Sequence, residues 1–502
     1  MDAFWAGMAI LLDPYMLAVI LAGTFLGVVV GALPGLSGST TAALLLPLTI
    51  GMGATASIAF LGAIYCAANF GGSITAILIN TPGDPSASAT AYDGYPMAKN
   101  GEAGRALGMS TIASAIGGIF SVIVLIVAAP LLARAAYSFG PPEYFALACF
   151  GLSMLAAVGS DAGIRNLIVG VLGVLLATVG LDLTTGVERF TFGIVELSEG
   201  LSLVPVLTGM FAISELLEQA SRLHVKAERL ALDAVRLPSL ADFRKCAKAI
   251  SVSSVLGTFI GILPALGATT AALISYNETK RWSKYKDDFG KGAIEGVAGP
   301  EAANNAAVGG SMVPTLALGI PGSATTAIIL AGLIVQGVRP GPHLFTEQPA
   351  LLYAVFSSML AANLIYVVLG LFLAKLFARI TLIPDALLWP GVFVFAIIGA
   401  YGQDQSIVDV WVMLVFGVIG FYFRRFGFSP APLVMGLVLG KMVEETLKQS
   451  LLIFDQNWLL FFSRPIVVAL FIVTALSISS PLIARGVRAV LRKPKNLNPI
   501  EE

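Results

Sequence analysis

Apolar residues along this chain fall into a succession of runs close to the ~20 residues that a helix needs to cross a bilayer. Such runs are read at 54–70, 106–133, 143–159, 163–180 and 200–219, then at 292–310, 350–378, 386–402, 406–423 and 430–452, with a last one at 464–484. The pattern predicts an all-α polytopic membrane protein with about 10–12 transmembrane helices. Polar and helix-breaking residues interrupt it at four places. "GALPGLSGSTTAALLLP" occupies 31–47 and "GILPALGATTAALI" 261–274; "GGSITAILINTPGDPSASATA" occupies 71–91 and "GGSMVPTLALGIPGSATTA" 309–327.

The four interruptions form two pairs. Gly31, Leu33, Pro34 and Leu36 align with Gly261, Leu263, Pro264 and Leu266, and "TTAAL" at 40–44 meets "TTAAL" at 269–273. The second pair shares a Gly-Gly-Ser start, a Pro-Gly after an apolar run and a Ser/Ala/Thr-rich exit. Two matches in one order at nearly constant separation indicate duplication. The runs from 54 to 219 put an odd number of crossings between a motif and its copy, so the second half enters the membrane upside down. The predicted architecture is two inverted-topology repeats with paired re-entrant or broken helical hairpins. The first repeat spans 1–220, with hairpins at about 17–50 and 72–98. A basic linker covers 221–247. The second repeat spans 248–455, with hairpins at about 248–276 and 311–336, and 456–502 adds a helix and a basic tail.

Composition agrees with this class: of 502 residues, 57% are hydrophobic and 12% charged, which excludes an ordinary soluble domain. Lys+Arg and Asp+Glu balance at 30 each, so no basic field for nucleic acid exists. Cys66, Cys149 and Cys246 are scattered, which argues against a disulfide framework or metal site. The start "MDAFWAGMAILLDPY" lacks the basic residues and cleavage site of a removable signal peptide.

Basic residues cluster at 221–248, at 276–291 and in the tail from Arg485 to Lys495, and the positive-inside rule places all three in the cytoplasm. The acid-leaning turns from Asp182 to Glu199, from Asp404 to Asp409 and around Asp455 are then external. Both flanks of 249–275 are basic although the stretch is about one span long. A re-entrant hairpin with its tip at "LPALG" resolves this; a tilted single span with a misplaced basic loop is the alternative.

Broken helices at membrane depth are tolerated where they are buried in protein or line a cavity. Their bare N–H ends suit anions, their carbonyl ends suit cations, and hydroxyls serve either. The candidate substrate or ion site therefore comprises Ser37, Ser39, Thr40 and Thr41 at one tip and Thr269 and Thr270 at its mate. Around the second tips it takes in Pro82, Gly83, Ser86, Ser88 and Thr90, then Pro321, Gly322, Ser323, Thr325 and Thr326, with Asn69, Asn304 and Asn305 on the intervening helices. Asp84 and Glu301 are the nearest acids, each either a cation or proton site or an interfacial residue; Glu301, inside an expected span, leans to the former. No cofactor is expected beyond Na⁺ or H⁺ as a coupling ion, and hydroxyl and carbonyl richness leans to Na⁺.

These strings, with "NTPGDPSASATAYDGYPMAKNGEAGRAL", "GPEAANNAAVGGSMVPTLALGIPGSATTA" and "GVRPGPHLF", resemble the large membrane (permease) subunit of the tripartite tricarboxylate transporters over roughly 15–450. The resemblance implies a multi-pass protein of the bacterial inner membrane, driven by an ion gradient, with an elevator-like motion; the basic tail places the C-terminus in the cytoplasm. Its implied partners are a small four-helix membrane subunit and a periplasmic solute-binding protein, and its implied substrates are citrate or other small carboxylates. A stand-alone organic-anion permease or channel is the alternative. An intramembrane hydrolase fits least: "GLSG" at 35–38 needs a histidine base, and His224 and His343 fall on opposite expected sides.

Overall fold

The computed structural model describes residues 2–157, 163–182, 185–221, 236–380 and 385–491. Residues 222–235 of the basic linker and 492–502 of the tail, with His224 and the cationic residues there, lie outside the described residues. The first half contains α1 (Asp2–Ala9), α2 (Pro14–Gly31), α3 (Gly38–Leu45), α4 (Ala54–Ile79), α5 (Ser88–Met97), α6 (Ala103–Ala136), α7 (Pro141–Ala157), α8 (Gly163–Leu176), α9 (Leu203–Thr208) and α10 (Ser214–Ser221). The second contains α11 (Leu240–Ile262), α12 (Gly267–Trp282), α13 (Ile294–Leu318), α14 (Ala324–Val335), α15 (Leu344–Glu347), α16 (Pro349–Phe372), α17 (Ala374–Ile380), α18 (Asp385–Asp404), α19 (Ile407–Arg425), α20 (Ala431–Ile453) and α21 (Pro465–Leu491). By length and apolar composition, seven helical segments among the described residues are able to cross a membrane. The protein is a multi-pass, all-α membrane protein.

Small residues decide which helices touch. Gly23, Gly27 and Gly31, one turn apart on α2, lie on Phe60, Ile64 and Ala68 of α4, so those two helices run parallel. A Cβ at Gly23 would fall 2.9 Å from the Phe60 carbonyl oxygen. Gly257 and Gly261 of α11 meet Ala303 and Ala307 of α13 in the same parallel sense. Between the halves the sense reverses. Ser73 of α4 bonds Glu301 of α13, and Tyr65 of α4 bonds Ser311 of α13, so α4 and α13 are antiparallel.

The chain breaks after α2 and after α11, as the prolines predict. It does not break at the Gly-Gly pairs: α4 and α13 run unbroken through 71–72 and 309–310, where the sequence reading ended a span and opened a hairpin. Those glycines serve close approach instead. A Cβ at Gly72 would sit 2.7 Å from the Asp84 nitrogen, and one at Gly310 would fall on the Thr258 carbonyl. Both helices stop about two turns later in the same way. Asn80 and Gly319 adopt left-handed backbone, with φ of 52° and 72°. The Thr81 N–H then returns to the Thr75 carbonyl and the Ile320 N–H to the Pro314 carbonyl, which closes the last turns. Three further departures are the short α1 packed on α16, a wide turn at 209–213 between α9 and α10, and a break at Leu373 inside the run read as 350–378.

The two ends of the molecule differ in charge. At one, the Lys245 ammonium lies 3.8 Å from the centre of the Tyr285 ring and that of Lys248 5.7 Å from the Trp282 ring. The start of α11 is therefore beside the end of α12, and the chain enters and leaves this hairpin at the same basic end. At the other, Lys448 reaches Asp182 (2.7 Å), Arg189 reaches Glu444 (2.6 Å) and Ser202 reaches Asp404 (3.0 Å). Those bonds gather the acid-leaning turns in one place.

A buried carboxylate fastens the first half to the second at the basic end. Asp93 of α5 is fully buried. Its Oδ1 accepts the N–H groups of Gly290, Gly292 and Ala293 at 2.8, 2.9 and 2.8 Å, and its Oδ2 accepts the Tyr276 hydroxyl at 2.9 Å. Replacing Asp93 by Ala strands those donors, and thermal unfolding of the detergent-solubilised protein is expected to show a loss of about 3 kcal/mol or more. Gly322→Ala would place a Cβ 2.7 Å from the Ser311 carbonyl oxygen and is expected to lower the melting temperature. Gly391→Ala, with no neighbour within 4 Å, is the control and should leave the melt unchanged.

Candidate functional site

The two central helices meet at two polar rungs. At one, Ser73 Oγ donates to Glu301 Oε1 at 2.5 Å; at the other, Tyr65 Oη lies 2.9 Å from Ser311 Oγ and 3.0 Å from Ser323 Oγ. The serines are those of the two Gly-Gly-Ser motifs, and each reaches across to the other half's central helix. Between the rungs lie the asparagines. Asn69 is buried with its Nδ2 unpartnered, and Asn304 is buried with neither amide atom partnered. Asn305 donates from Nδ2 to the Glu301 carbonyl at 3.2 Å and leaves Oδ1 unpartnered. A buried polar group without a partner costs about 1–3 kcal/mol. Three such side chains in one short stretch of two facing helices therefore mark a place that a polar ligand or water completes.

The broken tips surround this stretch. Ser37 caps α3 by accepting the Thr40 N–H at 3.2 Å, and its hydroxyl lies 2.9 Å from that of Ser39 and 3.0 Å from that of Thr40. Thr41 donates back to the Ser37 carbonyl at 2.9 Å. Thr40 and Thr41 are fully buried, whereas Ser37 and Ser39 are half-buried. Asp84 joins the two tips of the first half. Its Oδ2 accepts the Gly38 N–H at 2.6 Å, and its Oδ1 accepts the N–H and hydroxyl of Ser86 at 2.8 and 2.6 Å. Asn69 Oδ1 also borders this helix start, 3.3 Å from where a Gly38 Cβ would stand.

The second half repeats the plan with different chemistry. Ser323, in the place of Asp84, caps α14 reciprocally with Thr326: the Thr326 N–H donates to Ser323 Oγ at 3.2 Å and the Ser323 N–H to Thr326 Oγ1 at 2.8 Å. The tips here are joined through backbone alone, the Ala265 N–H donating to the Gly322 carbonyl at 3.0 Å. Ala265 and Gly267 hold left-handed backbone, with φ of 68° and 63°. Thr269 and Thr270 open α12 half-buried, Ser88 opens α5 half-buried, and Thr325, Pro321 and Gly322 are buried, as is Gly83; Pro82 is half-buried. The tips cross over between halves: α3 packs on α14, and α12 packs on the turn at Pro85–Ala87.

Glu301 occupies a hydroxyl box of its own. Its Oε1 accepts from Ser73 and Thr90, both at 2.5 Å, and its Oε2 accepts from Ser114 at 2.7 Å. The box draws on α4, α5, α6 and α13. Ser73, Tyr65, Ser311 and Ser114 were absent from the residues picked out by sequence. The first and third could have been found, since each completes a duplicated Gly-Gly-Ser. Tyr65 and Ser114 sit in apolar helix with no local mark. Also missed was an ion pair behind the first tip, where Glu215 binds Arg424 and Gln219 donates to it at 2.7 Å, both Glu215 and Gln219 lying against Gly35.

Comparison with known proteins adds a lineage to this geometry. The chain is 41% identical over 463 residues to an uncharacterized 52.8 kDa protein from the ttuC′ 3′ region of TAR-I in Agrobacterium vitis, covering 91% of each chain. It is 42% identical over 214 residues to an uncharacterized protein from the corresponding region of TAR-II, covering 43% of this chain and 88% of that one. No solved structure matches it. The profile of the tripartite tricarboxylate transporter TctA family matches residues 17–435. The chain belongs to the tripartite tricarboxylate transporter TctA family, and is a membrane component of a transporter.

Proposed function

We propose that the chain is the large transmembrane subunit of an ion-gradient-driven secondary transporter that imports tricarboxylates such as citrate, or other small organic carboxylates. A periplasmic binding protein delivers the substrate, and a small four-helix subunit completes the membrane complex. The basic end faces the cytoplasm of a bacterial inner membrane, following the positive-inside rule. The observation that carries this reading is the stretch between the rungs. Asn69 and Asn304 bring unpartnered amide groups there, and the capped starts of α3 and α14 stand beside it. Amide N–H groups and helix N-termini are the donors that a pocket without basic side chains can offer a carboxylate.

The relation of the halves supports alternating access over a fixed pore. Parallel α2 and α4, parallel α11 and α13, and antiparallel α4 and α13 fit an inverted-topology repeat with its site at the interface of the halves. The tips and central helices would form the mobile, elevator-like unit, and α6–α10 with α16–α21 the scaffold. Saturable flux with counterflow is expected of such a device, and uptake without either would favour the channel reading.

Substitution of the amides tests the site. Asn304→Ala and Asn69→Ala are each expected to raise the KM for citrate uptake roughly 10- to 100-fold, the equivalent of a charged hydrogen bond of about 1.5–3 kcal/mol, with a normal melt. Uptake by both variants indistinguishable from that of the unaltered complex would remove the site from this place.

A further inference from the structure

Glu301 is a carboxyl group with zero exposure and no cationic partner among the described residues. The groups packed around it are Ser73 on α4, Thr90 on α5, and Ser110 and Ser114 on α6, with Tyr366 nearby on α16. Tyr366 is occupied by Asn363 at 2.9 Å. The neighbouring acids are occupied too: Asp93 on α5 by Tyr276 and three N–H groups, and Glu295 on α13 by Ser283 at 2.6 Å. The oxygens of the box close directly on the carboxyl oxygens at 2.5–2.7 Å. Ser110, one turn from Ser114 and on the side nearer the basic end, is buried and also faces the Glu301 carboxyl.

We propose that Glu301 is the proton site through which this chain couples transport to a proton gradient, with Asn304 placing the substrate anion one helical turn away. This rests on the carboxylate reading of the asparagine site and adds to it the identity of the ion. A hydroxyl both donates and accepts, so the box serves both states. When Glu301 is ionised, Ser73, Thr90 and Ser114 donate to it. When a proton adds to Oε2, that O–H donates to Ser114 Oγ, the Ser114 hydroxyl turns away, and Ser73 and Thr90 still bond Oε1. No bond other than O–H forms or breaks, and the proton leaves to water on the far side. Residues three apart on a helix share a face, so an anion held by Asn304 lies close to Glu301. Two like charges at that separation in a water-poor interior repel strongly. Binding of the anion and of the proton therefore favour each other, and by linkage each raises the affinity for the other by the same factor. Asp84 does not have this freedom, because two of its three partners are backbone N–H groups, which only donate.

Infrared difference spectroscopy of the full chain in lipid nanodiscs tests the proton site without any substrate. In sodium-free buffer stepped from alkaline to acid pH, the unaltered protein is expected to gain a buried protonated-carboxyl band. Glu301→Gln should lack this band, and Ser114→Ala, which keeps the acid and removes one partner, should shift its frequency. A band unchanged in Glu301→Gln, no band at any pH, or a band abolished by Na⁺ at fixed pH would overturn the proposal. Adding citrate at fixed pH should increase the band, and citrate that binds without doing so overturns the coupling. If citrate and other small carboxylates bind neither protein, the carboxylate reading and the coupling fall together, while the band still decides the proton site. In proteoliposomes an inward proton gradient should speed citrate uptake roughly tenfold for the unaltered protein and leave Glu301→Gln unaffected.

Discussion

A helix that stops inside an apolar assembly leaves peptide N–H and carbonyl groups that water cannot reach, and each needs a partner. That constraint organises this molecule. The first half meets it with a carboxylate: Asp84 takes the free Gly38 N–H at the start of α3 and caps its own turn through Ser86. The second half meets it with backbone, through Ala265 to Gly322, and with Thr315 Oγ1, which accepts the Gly322 N–H at 3.2 Å. Each solution requires two tips to lie side by side, so each break fixes the position of another. The glycines follow from this. Gly83 stands where a side chain would strike the Gly31 carbonyl, and Gly322 where it would strike that of Ser311. The tips are ordered by each other, and the central pair α4 and α13 holds both sets at the same level.

Much of this plan is visible in the sequence because it is written in local signals. Proline, left-handed glycine and Ser/Thr caps act on the residues beside them, so the four breaks, their pairing and the asparagines between them are legible from order alone. What the sequence conceals depends on faces. α4 and α13 are buried around almost their whole circumference, so neither shows a polar stripe to tell which residues look at which neighbour. The partners of Glu301 come from residues 73, 90 and 114, and only the fold brings them to 301. The Gly-Gly pairs were legible as signals and misleading as to kind. In isolation they read as breaks, but here they admit a neighbouring backbone to an unbroken helix. Pro300 and Pro314 are a similar case, since both lie inside α13 without ending it.

The ends of the molecule are built differently from its centre. At the basic end Asp93 makes four hydrogen bonds across the halves, and Lys245 and Lys248 rest on aromatic rings. At the other end, Asp182, Arg189, Glu444 and Lys448 form a connected ionic network. Arg189 Nε is left without a partner there, so that end is held by ion pairs. The centre has no ion pair among the described residues, and its amide atoms lie unpaired beside hydroxyls that can point either way.

The two buried acids of the site carry the same contrast to the level of single atoms. Asp84 and Glu301 each accept three hydrogen bonds, yet two of the donors to Asp84 are peptide groups and all of those to Glu301 are hydroxyls. A peptide N–H facing Asp84 cannot become an acceptor, so a change at that oxygen would undo the cap of α3 and part the two tips. A hydroxyl facing Glu301 can rotate, so the same change there leaves every helix where it was. The acid that ties the two tips together and the acid boxed by hydroxyls are thus distinguished by the chemistry of their partners. In the second half Ser323 replaces the carboxylate at the position of Asp84. Its caps are hydroxyls on both sides, and it touches Tyr65 of the first half. The tips of the two halves therefore share a geometry, while only those of the first carry a carboxylate.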